Sequence, residues 1–555
     1  MTEAEFFQAG PELKNTFEAD ALLRRILGFH TGGEFGKFAP ILRDLGERAA
    51  TDMLAAARVA ETSPPVHVPF DPWGNRIDRI DVSDAWKKME RLAAEYGVVA
   101  TGYERRQGEF SRVFQMALLY LYHPSSALFS CPLAMTDGAA KAIELYGDHF
   151  EMKVAFDHLT SRDPAKFWTS GQWMTERTGG SDVGLSQTIA RAGLDGEYAL
   201  SGTKWFTSAT TSQMAMTLAR ITPAIDAKNE LSLFFMRTHD DRGRLRKIKI
   251  HRLKDKLGTK ALPTAELALE GTPARLVGGP GQGVKKIASL FNVTRIYNAV
   301  CSVGSMTRGL QLAEDYAKKR VAFGGTLAAN PLHMETLAEL ATEKALATLL
   351  IFKTATLWGR EEMKLANAEE STLLRLLTTL AKLSTGKSAV RVASEVLESF
   401  GGAGYVEDTG LPVLLRDSQV FPIWEGTTNV LSMDILRAFK KENAGTIFHN
   451  DVTARLKKID PSGMDPGLST LRHDLERVSQ WVGTQSPEIL AWNARKLALA
   501  LAQIYTRSLA FEFALATGHP FDREVARRAD RPVDFHPREK AEEAGLAALF
   551  REETP

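Results

Sequence analysis

The sequence predicts a mostly α-helical protein with an inserted antiparallel β domain, a helical bundle behind it and an extra helical region at the C-terminal end. Three observations carry this. Apolar residues recur at three- and four-residue intervals from about residue 17 to 165, the pattern turns to strand-like alternation near Phe167, and the helical period returns from Gly281. A chain of 555 residues is too long for one ordinary core. The changes of period divide it into 1–166, 167–280, 281–442 and 443–555.

In the first part, Ala21-Leu22-Leu23 with Ile26-Leu27, then Ile41, Leu45, Ala49 and Met53-Leu54, form the stripe of core-facing helices. The segment ETSPPVHVPFDPWGNRID, with Pro64-Pro65, Pro69, Pro72 and Gly74, predicts an ordered surface loop. Helical spacing resumes through Ala85-Trp86, Leu92-Ala93 and Met116 to Leu121. Strands are predicted at 197–208, 215–222, 231–238, 245–253 and 264–270, with Asp195-Gly196, Asn229 and Asp241-Arg242-Gly243 as turn signals. Helices follow near 284–319, 332–364, 369–400 and 428–440, dense enough in apolar residues for a bundle. Residues 445–555 continue as helix, strongest over Leu497 to Ala514, and end in a charged tail. A β domain set between helical layers leaves a cleft where they meet, and such clefts hold cofactors.

Composition narrows the function. Apolar content of 44%, 25% charged residues and a net charge of +1 describe a globular protein with no bulk attraction to nucleic acid or anionic membrane. Two cysteines, Cys131 and Cys301, are too few for a disulfide framework or a cysteine metal site, and read as small buried hydrophobes in a reducing compartment. The N-terminus MTEAEFFQAG lacks a basic and then apolar leader, and no apolar run reaches the roughly 20 residues that span a bilayer. The expectation is a cytoplasmic protein without a metal.

Four segments carry chemistry. Arg416 to Val430, RDSQVFPIWEGTTNV, places the carboxylate of Glu425 between an apolar approach and a Gly-Thr-Thr turn. Desolvation there raises a carboxyl pKa toward the working pH and makes a general base, although a solvated loop glutamate has the same local sequence. Met174 to Gly184, MTERTGGSDVG, joins the hydroxyls of Thr175 and Ser181 to Gly179-Gly180, which allow close backbone approach to a polar cofactor; an ordinary Gly-Ser-Asp turn reads alike. In Lys204-Trp205-Phe206-Thr207-Ser208, strand alternation puts Phe206 and Ser208 on one face, suited to a planar heterocycle, while Trp205 reads as core packing. Arg320-Val321-Ala322-Phe323-Gly324 follows a basic helix end, and the glycines of Phe400-Gly401-Gly402-Ala403-Gly404-Tyr405 must close a helix.

In this order over residues 85–440, MTERTGGSDV, GTKWFTS, RVAFG, FGGAGY, Arg416-Asp417 and WEGTTN together resemble the acyl-CoA dehydrogenase family of FAD flavoproteins. FDPWGNRIDRIDVSDAW and HRLKDKLGTKALPTAEL resemble its larger AidB-like branch, which includes long-chain acyl-CoA dehydrogenase relatives. The resemblance implies a helical domain, a β-barrel and a helical bundle, and FAD-dependent α,β-dehydrogenation of a medium- or long-chain fatty acyl-CoA. Glu425 matches the base that takes the α-proton while the β-hydrogen leaves as hydride to flavin N5, and Arg295 an arginine beside it. Met174, Thr175, Gly180 and Ser181 match positions holding the flavin ring and pyrophosphate; Phe206 and Ser208 those beside the isoalloxazine; Thr427 and Asn429 cofactor contacts after the base. Arg320 and Phe323, with Gly401 and Gly402, match residues reaching the FAD of a neighbouring subunit, which implies a homotetramer. An electron-transferring flavoprotein is the implied acceptor.

The chain departs from the family pattern at Trp424, where Tyr is usual, at Arg177, where Pro is usual, and at Asn292, His333 and Glu398. Two other functions fit the same motifs: a DNA-associated flavoprotein of the alkylation response, and an acyl-CoA binding or sequestering protein with little turnover. The first favours a basic C-terminal region, but residues 445–555 hold 15 Lys and Arg against 16 Asp and Glu.

Overall fold

A computed structural model of the chain describes residues 9–224, 230–459 and 465–539. The turn expected at Asn229 and the charged tail from 540 onward lie outside them. The N-terminal helices are α1 (Ala21–Thr31), α2 (Phe35–Ala50) and α3 (Asp52–Thr62). After a two-stranded hairpin, β1 (Val66–Phe70) and β2 (Arg76–Asp81), come α4 (Asp84–Tyr96), α5 (Ala100–Glu104), α6 (Ser111–Tyr122), α7 (Ser130–Tyr146) and α8 (Phe150–Leu159). The hairpin corrects the expected loop. Pro69 sits at the register shift between Val68 and Phe70, where its missing N–H interrupts no regular ladder. Asp78 accepts the Ile250 N–H at 3.1 Å and Arg76 donates to the Ile250 carbonyl at 2.6 Å, so the hairpin is fastened to the β domain. Every residue of α6 is buried, which makes it the central helix of this part.

The β domain comprises β3 (Ser170–Trp173), β4 (Ile189–Ala192), β5 (Glu197–Ser208), β6 (Met214–Thr222), β7 (Leu231–Arg237), β8 (Ile248–Leu253) and β9 (Thr264–Leu276). The order β6-β4-β5-β9-β7 returns on itself through a β6–β7 pairing and closes a barrel. Trp173, Leu200, Phe234 and Leu267 belong to its apolar core. Pairing is antiparallel except where β3 and β4 run parallel to β6. These two strands have only four residues each, too few for alternation to announce them. A register shift between Lys204 and Thr207 also breaks the alternation of β5. Trp205 is therefore only half-buried, with the Lys254 ammonium 3.9 Å from its ring centroid, rather than in the core.

The bundle consists of α9 (Gly283–Lys319), a short hairpin β10 (Val321–Ala322) and β11 (Gly325–Thr326), α10 (Pro331–Glu362), α11 (Ala368–Ser399), α12 (Pro412–Ser418) and α13 (Thr428–Glu442). A reciprocal capping box between Asn367 and Glu370 starts α11. The chain continues as α14 (Ala444–Lys457), α15 (Asp465–Thr484), α16 (Pro487–Thr517) and α17 (Pro520–Ala529). Helix α16 packs on α10, α11 and α13. At the same end, α1 meets the C-terminal helices through Phe29 edge-on to Phe513 at 5.4 Å and a bidentate Arg25–Asp522 pair at 2.7 and 2.9 Å. One apolar core thus runs from Phe17 to Phe535, and a second cluster, including Met152, Leu233 and Leu290, joins the helices to the barrel. Among the described residues no helix is long and apolar enough to cross a membrane, and no group of three His, Cys, Asp or Glu could hold a metal.

Candidate active site

Where α7, α9, the barrel rim and the turn before α13 meet, they line a cavity of about 630 Å³. Glu425 stands on its wall, in the turn that joins Trp424 to α13. The backbone there is left-handed at two successive residues, Glu425 (φ 57°) and Gly426 (φ 99°). Glycine suits the second, because a Cβ on Gly426 would lie 2.9 Å from Leu431. A left-handed glutamate is disfavoured, and its surroundings must hold it there. One carboxylate oxygen accepts the Thr294 hydroxyl from α9 at 2.6 Å. The Glu425 backbone N–H has no acceptor among the described residues.

Burial pushes the Glu425 carboxyl above its ordinary pKa, against the pull of the Thr294 hydrogen bond and the positive charges of Arg295 and Lys382. Arg295 lines the same cavity. Its guanidinium donates to Asp434 at 3.0 Å, and Asp434 also takes Arg375 at 2.7 Å, so Arg295 is fixed from behind by α13. Cys131 and Cys301 are buried, and both line the cavity; burial pushes the Cys301 thiol up to about 12. They are unreactive walls, not nucleophiles.

The structure brings most of the expected cofactor residues to this cavity. Met174, Thr175, Gly180 and Ser181 line one side, Phe206 and Ser208 the barrel rim, and Thr427 the end next to Glu425. A Cβ on Gly180 would lie 2.6 Å from the Thr175 hydroxyl oxygen, so the loop folds this tightly only with glycine. Sequence reasoning missed what holds that loop. Glu176 accepts Lys204 at 2.8 Å and the Thr188 hydroxyl at 2.5 Å under the surface, and the Gln187 N–H at 2.6 Å nearer to it. Thr294, Gln172 and Lys382 were missed too, because a threonine, a glutamine or a lysine inside a regular element carries no local signal.

Asn429 is not among the residues lining the cavity: it sits exposed on the first turn of α13, and its side-chain amide oxygen accepts from Arg495 of α16 at 3.3 Å. Arg320, Phe323, Gly401 and Gly402 also lie away from it. Phe323 is fully exposed, and the packing of Tyr316 on Phe400, with ring centroids 4.7 Å apart, holds the β10–β11 hairpin beside the glycine turn.

The cavity fits a large planar group with polar edges. Phe206 offers an exposed ring at its mouth. The buried Gln172 side-chain carbonyl oxygen and Trp424 indole N–H, from two residues of the wall, have no partner among the described residues. For the DNA reading, the structure pairs Arg527 and Arg528 with Glu524 and Glu335 rather than presenting them as a free basic cluster.

Comparison with known proteins agrees. The domain described as "Acyl-CoA dehydrogenase, C-terminal domain" matches residues 281–440, the middle domain of the same family residues 171–272, and the "Adaptive response protein AidB N-terminal domain" residues 10–162. "Acyl-CoA dehydrogenase family member 11" of Caenorhabditis elegans is 42% identical over 96% of this chain and 88% of its own length. The crystal structure of C. elegans ACDH-11 in complex with C11-CoA superposes with a TM-score of 0.96 at 40% identity, covering 100% of this chain and 98% of that one. The apo form of Bd2924 gives 0.86 at 53% identity over 92% of this chain and 100% of its own. With the family's motifs gathered round one cavity, the chain belongs to the acyl-CoA dehydrogenase family of FAD flavoproteins, in its AidB-like branch.

Proposed function

We propose that the protein catalyses FAD-dependent α,β-dehydrogenation of a medium- or long-chain fatty acyl-CoA, with Glu425 as the base that takes the α-proton. The observation that carries this is the seat of Glu425: a carboxylate held in a left-handed turn, hydrogen-bonded on one oxygen by Thr294, with a raised pKa, on the wall of the 630 Å³ cavity. Met174, Thr175, Gly180, Ser181, Phe206, Ser208 and Thr427 would hold the cofactor. When bound, FAD supplies the acceptor for the β-hydride.

The chain's own residues do the rest. The apolar walls, Cys131 and Ala134 among them, exclude water from the acyl chain, each methylene they cover contributing about 0.8 kcal/mol. Thr294 holds one oxygen of the base in place. The unpartnered Glu425 N–H is placed to donate to the thioester oxygen where enolate charge develops. Arg295, anchored on Asp434, keeps positive charge beside the carboxylate. The complex of the C. elegans relative with C11-CoA supports the chain length.

On the same reading the working form is a cytoplasmic homotetramer that passes electrons to an electron-transferring flavoprotein. The oligomer is supported by the exposed Phe323, Gly401 and Gly402 and the half-buried Arg320, all away from the subunit's own cavity. The test is anaerobic titration with acyl-CoAs of graded length. Bleaching of the flavin is expected with medium or long chains, and Glu425→Gln is expected to stay yellow yet fail to bleach. Bleaching that survives Glu425→Gln removes Glu425 as the base; tight thioester binding without bleaching in the native protein points to sequestration instead.

A further inference from the structure

Lys382 lies near the middle of α11, where its neighbours Leu380, Ala381 and Leu383 are buried apolar residues. Its side chain is 1% exposed, it forms no ion pair among the described residues, and it is not part of the cavity wall. Its ammonium donates to the carbonyl of Gly426, the residue directly after Glu425. Burying a cation without a carboxylate partner is unfavourable, and a methionine would fill the same space. The charge therefore needs a reason. The charged groups that act on it are Glu425 on the turn and Arg295 on α9, and Arg295 in turn meets Asp434 on α13, which also holds Arg375 of Lys382's own helix. Asp434 is already taken by Arg295 and Arg375. Glu425 is the carboxylate left to balance Lys382.

We propose that Lys382 is a positioning residue for the proton transfer: its ammonium pins the Gly426 carbonyl and so locks the left-handed Glu425 turn, and its charge keeps the Glu425 carboxylate ionised when substrate displaces water. This rests on Glu425 being the base. Burial, with Arg295 beside it, brings the Lys382 ammonium down to about 7 even against the upward pull of Glu425, so Lys382 and Glu425 each favour the charged form of the other. The sign follows: removing the positive charge raises the Glu425 pKa and moves the onset of proton abstraction to higher pH.

The experiment reads proton transfer alone. The FAD-loaded protein is incubated in deuterated buffer with 3-thiadecanoyl-CoA, which has an α-hydrogen but no β-hydrogen to lose, and α-deuterium uptake is followed by mass spectrometry across pH. In Lys382→Met, the exchange rate on the acid side is expected to fall roughly 10- to 100-fold and the ascending limb to move up by about one pH unit or more. Affinity for the analogue is expected to stay within about threefold, since Lys382 does not line the cavity. Lys382→Gln keeps a donor for the Gly426 carbonyl and loses only the charge. It is expected to shift the limb equally with a smaller rate loss, and it carries the test if the Met variant does not fold. A limb that stays at the native pH in either variant, whatever the rate, overturns the proposal and leaves Lys382 a structural residue. If Glu425→Gln still exchanges, the reading of Glu425 itself has failed; if it does not and the Lys382 limb is unmoved, only the present inference has.

Discussion

Replacing Glu176 by glutamine is expected to release the cofactor without touching it. The Glu176 carboxylate lies 4% exposed beneath the Met174–Ser181 loop, and Lys204, 0% exposed, faces it at 2.8 Å. One oxygen takes Lys204 and the Thr188 hydroxyl; the other takes the Gln187 N–H. Glutamine keeps a single acceptor oxygen and turns an NH₂ toward a donor. Lys204 is then left without a carboxylate, with only neutral acceptors such as the Leu218 carbonyl at 3.3 Å. Removing one partner of a buried ion pair costs about 3–5 kcal/mol. If about 3 kcal/mol of that falls on the loop that FAD must find ordered, affinity drops by about 150-fold, at 1.4 kcal/mol per decade. The assay is the flavin-to-protein absorbance ratio after purification, then FAD titration of the stripped protein and thermal unfolding with and without excess FAD. The double variant Glu176→Gln/Lys204→Met removes the stranded charge and is expected to regain at least about half of the loss. A single variant that purifies fully yellow and melts within about 1 °C of the native protein refutes the reasoning.

Three further outcomes are expected. Burial pushes the Asp417 carboxyl up to about 7 while it accepts the Thr259 N–H at 2.6 Å. The folded state binds that proton more tightly than the unfolded chain, so the stability it contributes is lost as pH rises from the ordinary 3.8 through about 7. Asp417→Asn keeps the acceptor and is expected to remove a slope of at most about 1.4 kcal/mol per pH unit, read from denaturant midpoints across that window. Glu362 is the opposite case. Burial pushes it up, but Arg112, Lys141 and Arg105 outweigh this and hold it at about 2. Its stabilisation is present above 4.5 and is lost as pH falls toward about 2. Glu362→Gln is expected to lose about 3–5 kcal/mol at neutral pH and to flatten the acid limb of the stability curve. Finally, Ala134→Phe narrows the cavity and is expected to shift preference to shorter acyl chains, about fourfold in kcat/KM per methylene excluded; an unchanged chain-length profile removes Ala134 from the acyl wall.

Much of this was legible in the sequence because it is periodic. The long helices of the bundle show their stripes over thirty residues or more, and α9, α10 and α11 begin and end within two residues of the expected positions. Exceptions come from features that hide a period. Prolines masked the β1–β2 hairpin, whose bulge accommodates Pro69, and the shift after Lys204 sent Trp205 outward. Glu425 stood out because an apolar run leads to it and a turn follows. Thr294, its hydrogen-bond partner, lies 131 residues away on a helix whose spacing is satisfied whatever residue stands there. Glu176 and Lys204, 28 residues apart, look like two ordinary charges until the barrel buries both. Long-range polar pairing is set by tertiary packing, and local pattern does not encode it.

The meeting of α1 with the C-terminal helices has a consequence for the making of the protein. Arg25 and Asp522 are 497 residues apart in the chain, yet they close one bidentate pair at the edge of a shared core. At roughly 5–20 residues per second, the ribosome releases the first of them roughly 25–100 s before the second exists. Throughout that interval the face of α1 that will meet Phe513 is open to any other apolar surface nearby. The last helices made are thus the ones that end the wait of the first.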